Sequence, residues 1–172
     1  MRTTHVLYAL LTTVALTMPV ALCGCGGNQA TKVEVTPKSM PDGASWDGVY
    51  FNPVWGYLHV QVQGTSFNAR WKRADESAWG EMHGTITSDV AHFEWVEHKI
   101  GMVGPSATSK GKGYFRYTRP EGENIDDRLV GVWGFDEAET GGGEWDAIKQ
   151  RNMKPDLQSI KGESEATVGG WK

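Results

Sequence analysis

The feature that most constrains this chain is an alternation of apolar and polar residues with a period of two, sustained in short runs from Trp46 to Ile148. Successive side chains of a strand point to opposite faces, so each run makes a ribbon with one face to bury and one to hydrate. In Val54–Val62, Leu58, Val60 and Val62 fall on one face, opposite Tyr57, His59 and Gln61. After the Gly64 turn Phe67, Ala69 and Trp71 oppose Asn68, Arg70 and Lys72. Within Trp79–Thr87, Met82, Gly84 and Ile86 oppose Glu81, His83 and Thr85; beyond Ser88-Asp89, Phe93 and Trp95 oppose His92, Glu94 and Val96. Trp46–Phe51, Gly113–Thr118, Arg128–Phe135 and Gly143–Ile148 complete a set of about eight strands. Residue types agree with this, because leucine beyond residue 24 is confined to Leu58, Leu129 and Leu157, while aromatic and β-branched residues dominate.

Short strands at regular spacing, joined mainly by tight turns, predict an antiparallel meander. Left open, such a sheet exposes a whole aromatic face and two unpaired edges; closure removes both problems. The expected fold is all-β, an eight-stranded antiparallel meander closed into a small up-and-down β-barrel over residues 46–149, with a β-sandwich as the alternative. Gly56, Gly84, Gly113 and Gly131 fall inside the strands, where a missing side chain permits sharp coiling or leaves room for a ring opposite. Seven of the eight Trp and every Phe lie in this window. Phe67, Trp71, Phe93, Trp95, Phe115, Tyr117 and Trp133 can converge on the interior. A barrel of this size is either filled by such rings or holds one small ligand among them. The expected guest of a hollow interior is a small apolar or amphipathic molecule.

The flanks have a different texture. Arg2 precedes a mostly apolar stretch, Val6 to Leu22, which ends in Leu22-Cys23-Gly24-Cys25. This resembles the lipobox of bacterial lipoprotein signal peptides. The resemblance implies a signal peptide over residues 1–24, cleavage after Gly24, lipid such as palmitate on Cys25, and a membrane as partner through that group. Gly26 stands where an Asp would retain such proteins at the inner membrane of enteric bacteria, so the same resemblance implies the outer membrane, facing the periplasm. With Cys23 removed and Cys25 capped, no thiol is left for a disulfide, a metal or nucleophilic catalysis. Residues 26–45, rich in Gly, Thr, Pro and Lys, read as a flexible tether, and 150–172 as a polar, disordered tail.

The order Trp46-x-Gly48, Phe67-x-Ala69, Gly84-Thr85, Trp95, Gly113, Trp133, Trp145-x-Ala147 resembles avidin and streptavidin-type barrels and, more loosely, lipocalins. What it implies is a topology; none of the residues by which that family grips biotin is carried over.

Reactive side chains are few in pattern. His59, His83, His92 and His98 have Glu94 and Glu97 nearby in sequence, and by parity the four histidines and Glu94 could share the outer face, which opens the alternative of an envelope enzyme working through a His/Glu cluster. Their spacing matches no metal-ligand motif, and a solvated strand face explains them, so no metal, cofactor or catalytic residue is assigned. Lys99 to Lys112 is the longest break between expected strands and is read as a lid over one mouth. Glu121, Glu123, Asp126 and Asp127 read as a polar hairpin tip. A formal net charge of −4 gives no electrostatic reason to expect nucleic acid as a partner. A third possibility is a protein-interaction scaffold, which would display an exposed aromatic patch around Trp55 and Tyr57.

Overall fold

A computed structural model describes residues 33–122 and 125–161. Residues 1–32, which include the expected signal peptide and Cys25, lie outside them, as do 123–124 and 162–172. Eight strands follow in order: β1 Gly48–Asn52, β2 Gly56–Gln63, β3 Ser66–Lys72, β4 Ala78–Thr87, β5 Val90–Lys99, β6 Thr108–Thr118, β7 Arg128–Phe135 and β8 Gly143–Lys149. Each pairs antiparallel with its neighbours and β8 returns to β1, giving a closed up-and-down barrel. Closure excludes the sandwich.

Register shows how the interior is filled. Residues paired across a ladder share a face, so Tyr50, Leu58, Trp71, Gly80, Glu97 and Ser109 form one inward row around the wall. A second inward row runs Val62, Phe67, Gly84, Phe93, Gly113, Trp133. Large rings alternate with glycine because the barrel is too narrow for rings side by side. A Cβ on Gly113 would sit 2.6 Å from Cζ of Phe93, and one on Gly111 2.8 Å from Cζ2 of Trp95.

That alternation corrects the reading of Lys99–Lys112 as a loop. Thr108–Lys112 belongs to β6, whose Ser109 and Gly111 pair with Glu97 and Trp95. Its inward positions carry no large apolar side chain, so the apolar half of the alternation is missing from the sequence. The true connection is 100–107, with a 3-10 turn at Pro105–Ala107; it borders an outer hollow shared with Trp79 and His98, and none of its residues lines the cavity at the mouth.

Both flanks also run along the wall further than expected. The Lys38 backbone N–H donates to Asp89 at 2.5 Å, and Arg116 donates to the Thr36 carbonyl at 2.9 Å. Residues 33–45 are thus a strap on the barrel. At the other end, the Asp156 N–H donates to Nδ1 of His59 at 3.0 Å, and Gln61 and Arg70 reach the carbonyls of Pro155 and Ile160. Residues 153–160 cover the outer face of β2 and β3, which is why outward His59 is buried.

Candidate functional site

The two ends of the barrel differ in how they close. At the end where β1 begins, Trp46 packs edge-on against Tyr117, ring centroids 5.4 Å apart, and its indole N–H donates to the Ser88 carbonyl at 2.9 Å. Beneath it the Tyr50 hydroxyl donates to the Trp46 carbonyl at 2.9 Å, and burial pushes its pKa well up. The Tyr117 hydroxyl donates to Asp127 at 2.6 Å, and the Arg119 guanidinium holds that carboxyl below its ordinary range. Lys149 donates to the Ser45 carbonyl, and its Nζ lies 5.5 Å from the ring centroids of Tyr50 and Tyr117. Aromatic packing and a satisfied polar network plug this end.

The opposite end is hollow. A cavity of about 240 Å³ opens there, walled by Trp55, Trp71, Trp95, Trp133, Trp145 and Phe135, with Arg73, Glu97, Lys99 and Ser109 at its polar side. Trp55 reaches it through a local turn, in which the Asn52 carboxamide oxygen accepts the N–H groups of Val54 and Trp55 at 2.7 and 3.0 Å. Its ring then stacks on Trp145, centroids 4.6 Å apart, while Trp133 stands nearly perpendicular to both Trp55 and Trp95. Edge-to-face and offset contacts of this kind add about 0.5–1.5 kcal/mol each to simple burial, so the box holds its shape without a guest.

Polar chemistry at this mouth is concentrated in one ion pair. Glu97 is inward on β5 and 7% exposed. Nε and Nη2 of Arg73 meet its two carboxylate oxygens at 2.8 and 2.9 Å. The Arg73 guanidinium carbon also lies 4.4 Å from the centroid of the Trp55 ring. A bidentate pair with a cation–π contact is rigid as well as neutralised. Lys99, two residues on from Glu97 and of the same inward parity, adds a second cation at the rim.

Three indole N–H groups in the wall, those of Trp71, Trp133 and Trp145, are buried and find no acceptor among the described residues. Trp95 is satisfied by the Gly134 carbonyl at 3.2 Å. An orphaned buried donor costs about 1–3 kcal/mol. Trp71 and Trp145 stand edge to face, at 75° with centroids 5.1 Å apart.

The interior aromatics expected from sequence divide into two groups. All seven are inward, but only Trp71, Trp95 and Trp133 line the cavity; Phe67, Phe93, Phe115 and Tyr117 belong to the packed core. Trp145 shares its parity with Ala147, and Glu97 shares its parity with Phe93 and Trp95, so alternation could have marked both as inward, whereas Trp55 and Arg73 lie beyond strand ends and had no such signal. Trp55 is in the cavity wall, so the patch expected around it reduces to Tyr57 packed on Phe51, centroids 4.9 Å apart.

The four histidines do not gather at one point, although His83 and His92 border a common outer groove. His59 is under the C-terminal segment, His98 stacks on Trp79 at 4.6 Å, His92 bonds Glu139 at 3.0 Å, and His83 lies 3.6 Å from Glu94. Glu97 faces the interior, away from all of them. Among the described residues no group of three His, Cys, Asp or Glu side chains could hold a metal ion. A hollow of about 500 Å³ beside His83 and His92 is larger than the mouth cavity, but it is an outer groove whose charges are already paired, Lys112 bridging Glu94 and Glu137 at 3.2 and 2.7 Å. No helix among the described residues is long and apolar enough to cross a membrane. Comparison of the chain with protein families, with curated proteins and with solved structures finds no match in any of the three.

Proposed function

We propose that this chain is a lipid-anchored protein of the bacterial envelope whose barrel takes a small apolar or amphipathic molecule into its open mouth. The observation that carries the binding half is the asymmetry of the barrel: one end is plugged by Trp46, and the other leaves about 240 Å³ between rings that already hold one another in place. A barrel selected only for stability would fill both ends, since unfilled volume among apolar side chains is destabilising. The volume is just under the roughly 300–1,000 Å³ of pockets that hold drug-sized ligands, which suits one or two fused rings rather than an acyl chain. The anchoring half rests on Leu22-Cys23-Gly24-Cys25.

The binding reading is tested by titrating purified protein with 2-naphthol in a calorimeter, against a Ser109→Trp variant that fills the mouth from the β6 side. Saturable one-to-one binding to the parent and none to the variant supports it. Equal binding by both would refute it, as would the failure of 2-naphthol and of its charged analogues alike to bind the parent. For the anchor, radiolabelled palmitate should appear on the parent chain and be lost in Cys25→Ala; equal labelling of the two removes the claim.

A further inference from the structure

Resting on the reading of the mouth as a binding cavity, we infer that its guest is a small aromatic carboxylate, with its rings among the indoles and its carboxylate between Arg73 and Lys99. An aromatic box is by default a site for cations, because indole faces are electron-rich. Three observations turn this one the other way. The open face of Trp55 is taken, since the Arg73 guanidinium carbon is 4.4 Å from its centroid. The carboxylate that would balance a guest cation, Glu97, already has both oxygens engaged by Arg73 at 2.8 and 2.9 Å. Lys99 stands at the same rim with no carboxylate within ion-pair distance among the described residues, leaving the polar side with two cations and one anion.

The other acidic side chains of this end do not restore the balance. Asp75 accepts from the Ser77 hydroxyl at 2.6 Å, Glu76 is bound to Lys72 at 3.0 Å, Glu137 is on the outer face with Lys112, Glu139 is engaged by His92 and the Val33 N–H, and Asp136 is not among the residues that line the cavity. Hydrogen bonding points the same way. Arg73, Lys99 and Ser109 offer donors at the rim, whereas the one carboxylate is occupied, so the guest must supply acceptors. A carboxylate supplies two of them in the plane that a guanidinium edge and an ammonium can share. Its rings must be few, given about 240 Å³.

The test compares three molecules of one ring body on the intact protein by calorimetry: 2-naphthoate, 2-naphthol and 2-naphthyltrimethylammonium. Naphthoate is expected to bind at least about tenfold more tightly than the ammonium, with the margin shrinking as salt is raised because the rim charges are partly exposed. Lys99→Gln, at an exposed position that leaves the Arg73–Glu97 pair intact, should weaken naphthoate about two- to fivefold, and more than it weakens naphthol. Naphthol binding without naphthoate, or the ammonium binding as well as naphthoate, overturns the carboxylate and leaves the cavity reading standing. If none of the three binds, the cavity reading fails and this inference fails with it.

Discussion

Gly80 shows what a single residue contributes to this barrel. It is inward on β4 beside Trp71, and a Cβ there would lie 2.2 Å from Cη2 and Cζ2 of that indole. Gly80→Ala should therefore destabilise the fold by about 1–3 kcal/mol through overpacking, read as a lower urea midpoint with an unchanged slope. The cause is specific: combining it with Trp71→Leu should cost less than the sum of the two single changes, because the smaller side chain vacates the space the methyl needs. His59 carries the pH dependence at this scale. Burial under the C-terminal segment lowers its pKa, and Nδ1 accepts the Asp156 N–H, a bond that requires an unprotonated nitrogen. The unfolded chain takes up the proton at the higher pH, so this contribution is complete above about pH 6.5 and is lost as pH falls below it. Amide protection across residues 153–160, taken relative to the base-catalysed intrinsic exchange rate at each pH, should fall between pH 7.5 and pH 5.5, and His59→Gln should remove most of that difference.

At the scale of the element, the strands are not held equally. The β4–β5 ladder runs through ten residue pairs, from Ala78–Lys99 to Thr87–Val90. The closing ladder between β1 and β8 has two, Tyr50–Lys149 and Phe51–Ile148. Two further bonds reinforce it, Gln150 N–H to the Val49 carbonyl at 2.8 Å and the Asn52 carboxamide to the Asp146 carbonyl at 2.5 Å. Opening should begin at this seam, so β1 and β8 amides should exchange well before those of β4 and β5, and Asn52→Ala, which removes the bond to Asp146 together with the two its oxygen accepts from Val54 and Trp55, about 2–4 kcal/mol in all, should widen the gap. The same contrast explains what could be read in advance. Strands such as β2, β3 and β4 declare themselves because their inward side chains are apolar and their outward ones polar. The first half of β6 does not, because Ser109 and Gly111 are small where rings from β5 fill the space. The cavity was half legible for a related reason: alternation marks Trp71, Trp95 and Trp133 as inward, but which inward rings leave a void depends on the plug at the far end. Trp55 and Arg73 enter from turns, where alternation has stopped.

For the whole molecule, what matters is which end faces what. The connections β1–β2, β3–β4, β5–β6 and β7–β8 all lie at the hollow end of an up-and-down barrel, and there Val54, Val103 and Phe135 are 60%, 94% and 53% exposed. The plugged end is instead polar, with Arg119, Asp127, Lys149 and the strap of residues 38–45. The proposed anchor constrains how this body can stand on a membrane. Because the chain from Val33 onward is bound to the wall, first through the Val33 N–H to Glu139 at 2.8 Å, only residues 26–32 separate it from Cys25. Even fully extended, such a segment spans no more than about 25 Å, so a barrel lipidated at Cys25 would be held close to the bilayer rather than far from it. Cys25→Ala should then move the protein from the membrane to the soluble fraction on cell fractionation. The soluble barrel should keep its urea midpoint and its affinity for 2-naphthol, since neither the plug nor the mouth involves the removed lipid. A protein that stays with the membrane after that substitution would mean that the apolar rim of the hollow end, and not the cysteine, is what holds it there.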